Sequence, residues 1–258
     1  MQNKTKLFLI SLIPVQVIFL QVLKYFPEFV EVYYSTGIFP LISEALRFTF
    51  GWIPFSVGDV FYFIFIILIV RWLYKNLIKV RRDPKSFFLD LFSSLSLVYL
   101  FFNLIWGFNY YRVPLHESLS IKKKYNLEQL INTTERLIKK SNEVHLALGV
   151  KDSTKVEAPY NNQQLFDKTI NGFQNIKVKH PNLDYQKSSI KKSSWSQLLT
   201  YMGYSGYYNP LTGEAQVNDL IKHYGFPVVS CHEQAHQLGY AAENEANFIA
   251  VLATINND

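Results

Sequence analysis

The chain has 258 residues, is 49% hydrophobic and 16% aromatic, and carries a formal net charge of +6. The charge is unevenly placed: residues 1–112 hold 11 Lys/Arg against 6 Asp/Glu, and residues 113–258 hold 15 against 14. The basic balance comes from one short stretch, Arg71, Lys75, Lys79, Arg81, Arg82 and Lys85, opposed only by Asp83, which argues against a nucleic-acid-binding face. A single cysteine, Cys231, excludes a disulfide within the chain and a cysteine-based zinc site; it reads as a small buried residue at the start of a helix.

Composition divides the chain in two: 1–110 is dominated by Leu, Ile, Phe and Val, and 111–258 resembles a soluble domain rich in Lys, Asn, Ser and Gln. The first apolar run, 7–23, follows Lys4 and Lys6 and lacks a small-residue cleavage site, so it reads as a retained anchor in which Pro14 makes a mild kink. Residues 31–52 are apolar and aromatic but interrupted by Pro40, Glu44 and Arg47, the pattern of an interfacial amphipathic helix. Runs at 53–73 and 87–108 approach the roughly 20 residues that cross about 30 Å of hydrocarbon. Asp59 and Asp90 lie near the ends of these runs, as interfacial residues would. Placing the basic stretch 71–85 in the cytoplasm makes a multi-pass cell-membrane protein with a cytoplasmic N-terminus and an extracytoplasmic C-terminal domain.

Beyond the spans, Asn126 and Gln129 form a capping-box pattern opening a helix that Gly149 ends. Residues 150–160 read as loop, 163–176 as a weaker helix interrupted by Gly172, and 177–192 as polar, exposed chain. Residues 194–202 read as a short helix ended by Gly203, and GEAQVN, 213–218, as a hairpin or edge strand able to accept an extended substrate. The fold class is therefore mainly α: three transmembrane helices followed by a mostly helical domain with a small β element.

The chemistry concentrates in CHEQAHQLGYAAENEANF, 231–248. Pro227 suits a helix's first turn, and His232 and His236, at i and i+4, lie about 40° apart around that helix and one turn along it. Two imidazoles so placed can hold one Zn²⁺, and Glu233 beside them can act on a metal-bound water as general base. Chance placement yields such a pentad in about one of 150 chains of this composition. A third ligand is needed. Gly239 can end the first helix in a left-handed conformation, and a second helix candidate follows. On it Glu243 and Glu245 lie about 200° apart, so only one can face the metal; Glu243, sharing its face with Asn247, is the first choice and Glu245 the second. Tyr204, Tyr207, Tyr208 and Tyr240 are candidate oxyanion donors, although packing or turn roles weigh more for each; His116, His145, His180 and His223 read as surface or structural.

HEQAH followed by ENEAN resembles the HExxH…ExxAD arrangement of glutamate-zincin membrane peptidases, which implies that Glu243 is the third zinc ligand. Asn247 departs from the terminal Asp of that pattern, and the linker between the motifs is shorter. HEQAHQLG is also similar to the metzincin motif, but Ala242 stands where the third histidine belongs. The segments YYSTGIFPLIS, GWIPFSVGDVFY, GYYNPLTGEAQVN and HEQAHQLGYAAENEANFIA give the whole chain a resemblance to an uncharacterised family of bacterial multi-pass membrane proteins with a C-terminal zinc-peptidase-like domain. Members extend further at the C-terminus, so the resemblance implies a truncation at ATINND. The expected activity is zinc-dependent hydrolysis of an amide bond in a peptide or protein at a lipid bilayer. An inactive metal-binding receptor or scaffold is the alternative, and a structural membrane protein with a chance HExxH the third reading.

Overall fold

The computed structural model describes residues 3–148, 156 and 159–257. Gly149 and most of the expected loop at 150–160 lie outside them. The protein is mainly α, and among the described residues three helices are long and apolar enough to cross a membrane: α1 (Asn3–Leu23), α4 (Val57–Arg82) and α5 (Pro84–Ile105). Pro14 lies inside α1 without ending it. Ser96 of α5 donates to the Leu9 carbonyl of α1 (2.6 Å), and Gln16 donates back to Ser96, polar contacts that fix two apolar helices where lipid supplies no hydrophobic driving force. Asp90 of α5 pairs with both Lys6 of α1 and Lys79 of α4, so the start of α1, the end of α4 and the start of α5 share one end of the bundle.

Between α1 and α4 the chain is helical almost throughout: α2 (Pro27–Phe29), a π-helical stretch (Val30–Ile38) and α3 (Phe39–Phe50). This is the segment expected to be interfacial. Leu41 and Phe48 do face outward, but Phe39, Ser43 and Arg47 are buried. Ser43 donates to the Gln237 carbonyl (2.7 Å), and Arg47 donates to that of Lys187 (2.8 Å) and lies over the Tyr185 ring. Its polar residues thus hold the C-terminal third of the chain.

After α5, a 3₁₀ turn (Gly107–Tyr111) completes the first part of a compact unit made of residues 1–112 and 162–258. Residues 113–161 form a second unit. It contains α6 (Leu115–Ser118) and α7 (Leu127–Ala147), whose first turn carries the expected capping box between Asn126 and Gln129. The first unit resumes with α8 (Asn162–Ile176), β1 (Ile190–Lys192), α9 (Ser196–Met202), β2 (Gly206–Asn209), β3 (Glu214–Val217), α10 (Phe226–Gln237) and α11 (Glu243–Ile255). Gly172 does not interrupt α8; it lets α8 approach α11 so closely that a Cβ there would collide with the Ala253 carbonyl.

The sheet order is β1–β3–β2, with β1 parallel and β2 antiparallel to β3. GEAQVN therefore forms a central strand, not an edge: every residue of β3 is buried, and both of its backbone edges are paired. The polar stretch 177–192 is likewise not simply exposed, because Leu183, Tyr185, Ser189 and Lys191 are buried. Lys191 enters the core because Glu214 meets it there at 2.5 Å. Glu214, with no exposure, also accepts from the backbone N–H groups of Val57 (3.1 Å) and Gly58 (2.6 Å), the free donors at the start of α4. Asp59, two residues into α4, is buried and accepts from Ser193 Oγ (3.1 Å), from Ser194 N–H (2.6 Å) and from the Tyr207 hydroxyl.

Removing one partner from a buried ion pair strands the other charge. Lys191→Met should lower unfolding stability by about 3–5 kcal/mol, read as a marked fall in the thermal midpoint of the detergent-solubilised protein. An unchanged midpoint would mean that Glu214 is satisfied without the ammonium.

Candidate metal centre

Helix α10 packs on β3 and β2 and against α8 and α11. Pro227 lies in its first turn, and the turn after it is closed by Gly239 at φ +84°, so α11 folds back beside it. Cys231, mid-helix, is buried, which pushes its thiol up to about 12. His232 and His236 project from one face with ring centroids 4.8 Å apart and planes nearly perpendicular. His236 is buried against the edge of Trp106, with centroids 5.9 Å apart.

Each imidazole is held through Nδ1. His236 Nδ1 lies 2.7 Å from the Tyr240 carbonyl, which can only accept, so the ring donates there and Nε2 keeps its lone pair. His232 Nδ1 lies 3.0 Å from Asn247 Oδ1, giving the same tautomer. Both Nε2 atoms turn toward Glu243, whose Oε2 is 3.1 Å from His232 and Oε1 3.6 Å from His236. Two ligands each about 2.05 Å from a tetrahedral zinc stand about 3.3 Å apart, so these spacings suit a shared divalent cation. Burial and the neighbouring His232 hold His236 below the usual histidine range, favouring the neutral, ligating form.

Glu233 completes the cluster: one ligating atom from each of His232, Glu233 and His236 lies within 4.8 Å of the others. Its side chain is 4% exposed, and Oε2 has no hydrogen-bond partner. Burial first, and then the Glu243 charge, push its carboxyl well above the usual range. Gly206 of β2 makes room for it, since a Cβ there would stand 2.7 Å from Glu233 Oε1 and 2.8 Å from the Gln216 carbonyl.

The four groups line an open cavity of about 490 Å³, together with Trp106, Tyr110, Gly203–Tyr208, Val228, Val229 and Asn247. Of the two acids considered for the third position, Glu243 faces the imidazoles. Glu245 is buried outside the cavity lining, where its charge acts on Tyr240. Of the four tyrosines, Tyr240 lies under the Arg112 guanidinium and does not line the cavity, and the Tyr207 hydroxyl is committed to Asp59. Tyr204 and Tyr208 line it, and Tyr208's hydroxyl is buried without a partner. Trp106 and Tyr110 escaped the sequence reading because only the fold brings the end of an apolar run beside residue 236.

Residues 34–258 match the family model described as Protein of unknown function (DUF3810). The chain belongs to the DUF3810 family. No curated protein and no solved structure matches it significantly. Because the DUF3810 match covers Trp106 and Tyr110 as well as the 203–208 segment, α10 and α11, all the segments that line this cavity belong to one family unit.

Gly206→Ala should cost about 1–3 kcal/mol by overpacking β2 against Glu233, seen as a lower thermal midpoint. A wild-type midpoint would show that β2 and α10 are not so closely apposed.

Proposed function

We propose that the protein is a membrane-anchored, zinc-dependent hydrolase of amide bonds. In this reading His232, His236 and Glu243 hold Zn²⁺, and Glu233 is the general base. The observation that carries the reading is the pair of Nε2 lone pairs, fixed by the Tyr240 carbonyl and Asn247, aimed at the Glu243 carboxylate with the unpartnered Glu233 alongside.

Held by His232, His236 and Glu243, zinc would supply an acidified water and a Lewis acid for the carbonyl. Glu233, lining the cavity, would take a proton from the water as its oxygen bonds to the carbonyl carbon, and pass that proton to the amine nitrogen as the C–N bond breaks. Burial of its side chain in a site walled by Trp106, Val228 and Val229 strengthens each of these interactions. Because β3 is central, an extended substrate would pair with β2, which borders the cavity through Gly206, Tyr207 and Tyr208. Tyr204 and Tyr110, exposed and in the cavity lining, are the candidates to meet a developing oxyanion.

The topology reading places the cavity outside the cytoplasm. Its support is that Lys6, Lys79 and Asp90 mark one end of the spans, while Asp59 and Trp106, at the opposite ends of α4 and α5, reach the sheet and the histidines. Protease applied to spheroplasts should remove the region after residue 112; complete protection would reverse the orientation.

Metal analysis of the purified full chain should give about one zinc per molecule, absent from His232→Ala and His236→Ala. Glu233→Gln should keep the zinc yet lower hydrolysis of a broad peptide panel by about 10²-fold or more. A zinc-free wild type, or a mutant as active as wild type, would defeat the reading. Asn247→Asp should tighten zinc binding and Asn247→Ala weaken it by about 10-fold or more, measured by competition with a chromogenic chelator. Equal affinities would remove Asn247 from the orienting role.

A further inference from the structure

Helix α9 belongs to the polar half of the sequence, yet it leaves from the flank of a membrane-spanning helix. Trp195, which precedes it, packs its ring 6.2 Å from that of Phe63 of α4 and donates through Nε1 to the Asp59 carbonyl at 3.4 Å. Phe63 opens the band of α4 side chains, residues 63–70, that are all strongly exposed and apolar. At 1.5 Å per residue it lies about 6 Å along α4 from Asp59, at the level where lipid contact begins. Ahead of α4, Trp52 and Phe55 are also exposed, as in an aromatic interfacial belt.

From that point α9 carries one buried arc and one outward, apolar arc. Ser196 and Leu199 are buried against the body of the unit. Leu198, Tyr201 and Met202, at i, i+3 and i+4, face away at 47%, 87% and 57% exposure. Gln197 and Thr200 separate the arcs on one side. A helix with an outward apolar arc and no acidic or basic residue within it suits the plane of a bilayer surface. Its C-terminal cap, Gly203, and Tyr204 line the cavity together with Tyr110, which follows α5. The cavity is thus bordered by two segments that sit where spans leave the membrane.

We propose that the outward face of α9 rests in the lipid interface, so that the cavity over His232, Glu233 and His236 opens at the bilayer surface and takes polypeptides that are themselves anchored in the membrane. The placement of α9 stands on the contacts with α4 alone; the substrate class rests on the hydrolase reading above. Binding energy for such a substrate comes partly from confinement to the same surface, which replaces a bulk encounter with a local one. Insertion of Leu198, Tyr201 and Met202 holds the rim at the depth where an anchored chain emerges.

The test uses the full chain in vesicles of phosphatidylethanolamine and phosphatidylglycerol. Nitroxide labels are placed by Tyr201→Cys, by Phe65→Cys on α4 and by Lys179→Cys on the polar surface; wild type, whose one cysteine is buried, is the blank. The label at 201 should be more accessible to oxygen than to a water-soluble nickel chelate, as at 65 and opposite to 179. A label at 201 that behaves like 179 overturns the placement of α9. In the same vesicles, a palmitoylated peptide should be hydrolysed at least 10-fold faster than its acetylated twin, and L198D/Y201D/M202D should abolish that preference while keeping zinc. Equal turnover by wild type, or a preference that survives the triple substitution and so reflects partitioning alone, overturns the substrate class. Hydrolysis of neither peptide by the zinc-loaded protein overturns the hydrolase reading and the substrate class with it, and the label ratios then decide the placement of α9 on their own.

Discussion

Glu214, in the middle strand of the sheet, has no contact with solvent, and its two carboxylate oxygens accept from Val57 N–H, Gly58 N–H, Lys191, Thr212 and Gln216. An isolated carboxylate could not be buried there; the ammonium and the unpaired donors at the start of α4 make it tolerable together. That one group welds the N-terminus of a membrane-spanning helix to the centre of the sheet. Asp59 repeats the arrangement from the other side, reaching out of α4 to Ser193, Ser194 and Tyr207. With α4 fixed to β3 and β2, the position of β2 against Glu233 follows, and so does the shape of the cavity.

A second set of ties runs from the segment around α5. Arg112 forms a bidentate pair with Glu31, donates to the Gly239 carbonyl at 3.0 Å and covers the Tyr240 ring. Gly239 closes the turn after the histidine helix, and the next carbonyl, that of Tyr240, orients His236. Phe39, Trp106 and Ala241 share a buried cluster with Leu20, Leu23 and Val30 on this side. The histidine helix is thus framed by segments more than 100 residues earlier in the chain, and its second imidazole rests against Trp106.

What could be read from the chain was local. The i, i+4 histidines, Pro227 in the first turn of α10, the turn at Gly239 and the opposed directions of Glu243 and Glu245 all follow from helix periodicity within one stretch of 20 residues. The three apolar helices were legible for the same reason, with ends shifted by up to four residues, except that α4 runs nine residues past the expected 73, to Arg82. Long-range pairing was not. Hydropathy reads Lys191 and Ser189 as exposed because it contains no term for Glu214 or for the Gln237 side chain that donates to the Ser189 carbonyl at 3.0 Å. Asp59 reads as an interfacial acid because its partners come from residues 193, 194 and 207. Gly172 reads as a break because nothing nearby in sequence announces Ala253. Strand order hid the true position of GEAQVN, since a central strand and an edge strand can share one alternation of side chains.

The hydrogen bond from Ser43 to the Gln237 carbonyl joins residues 194 positions apart, and the links from Asp59 and Glu214 span more than 130. During synthesis, α1 through α5 leave the ribosome long before α10 exists, so the early helices must wait with Ser43, Arg47 and Asp59 unsatisfied. Contacts of such separation carry a large loop-closure penalty and form late. The paired histidines therefore acquire their surroundings only when the final third of the polypeptide docks onto segments already in place. Nascent chains caught before that moment carry no assembled cavity, so the site matures late, as the last third of the chain docks.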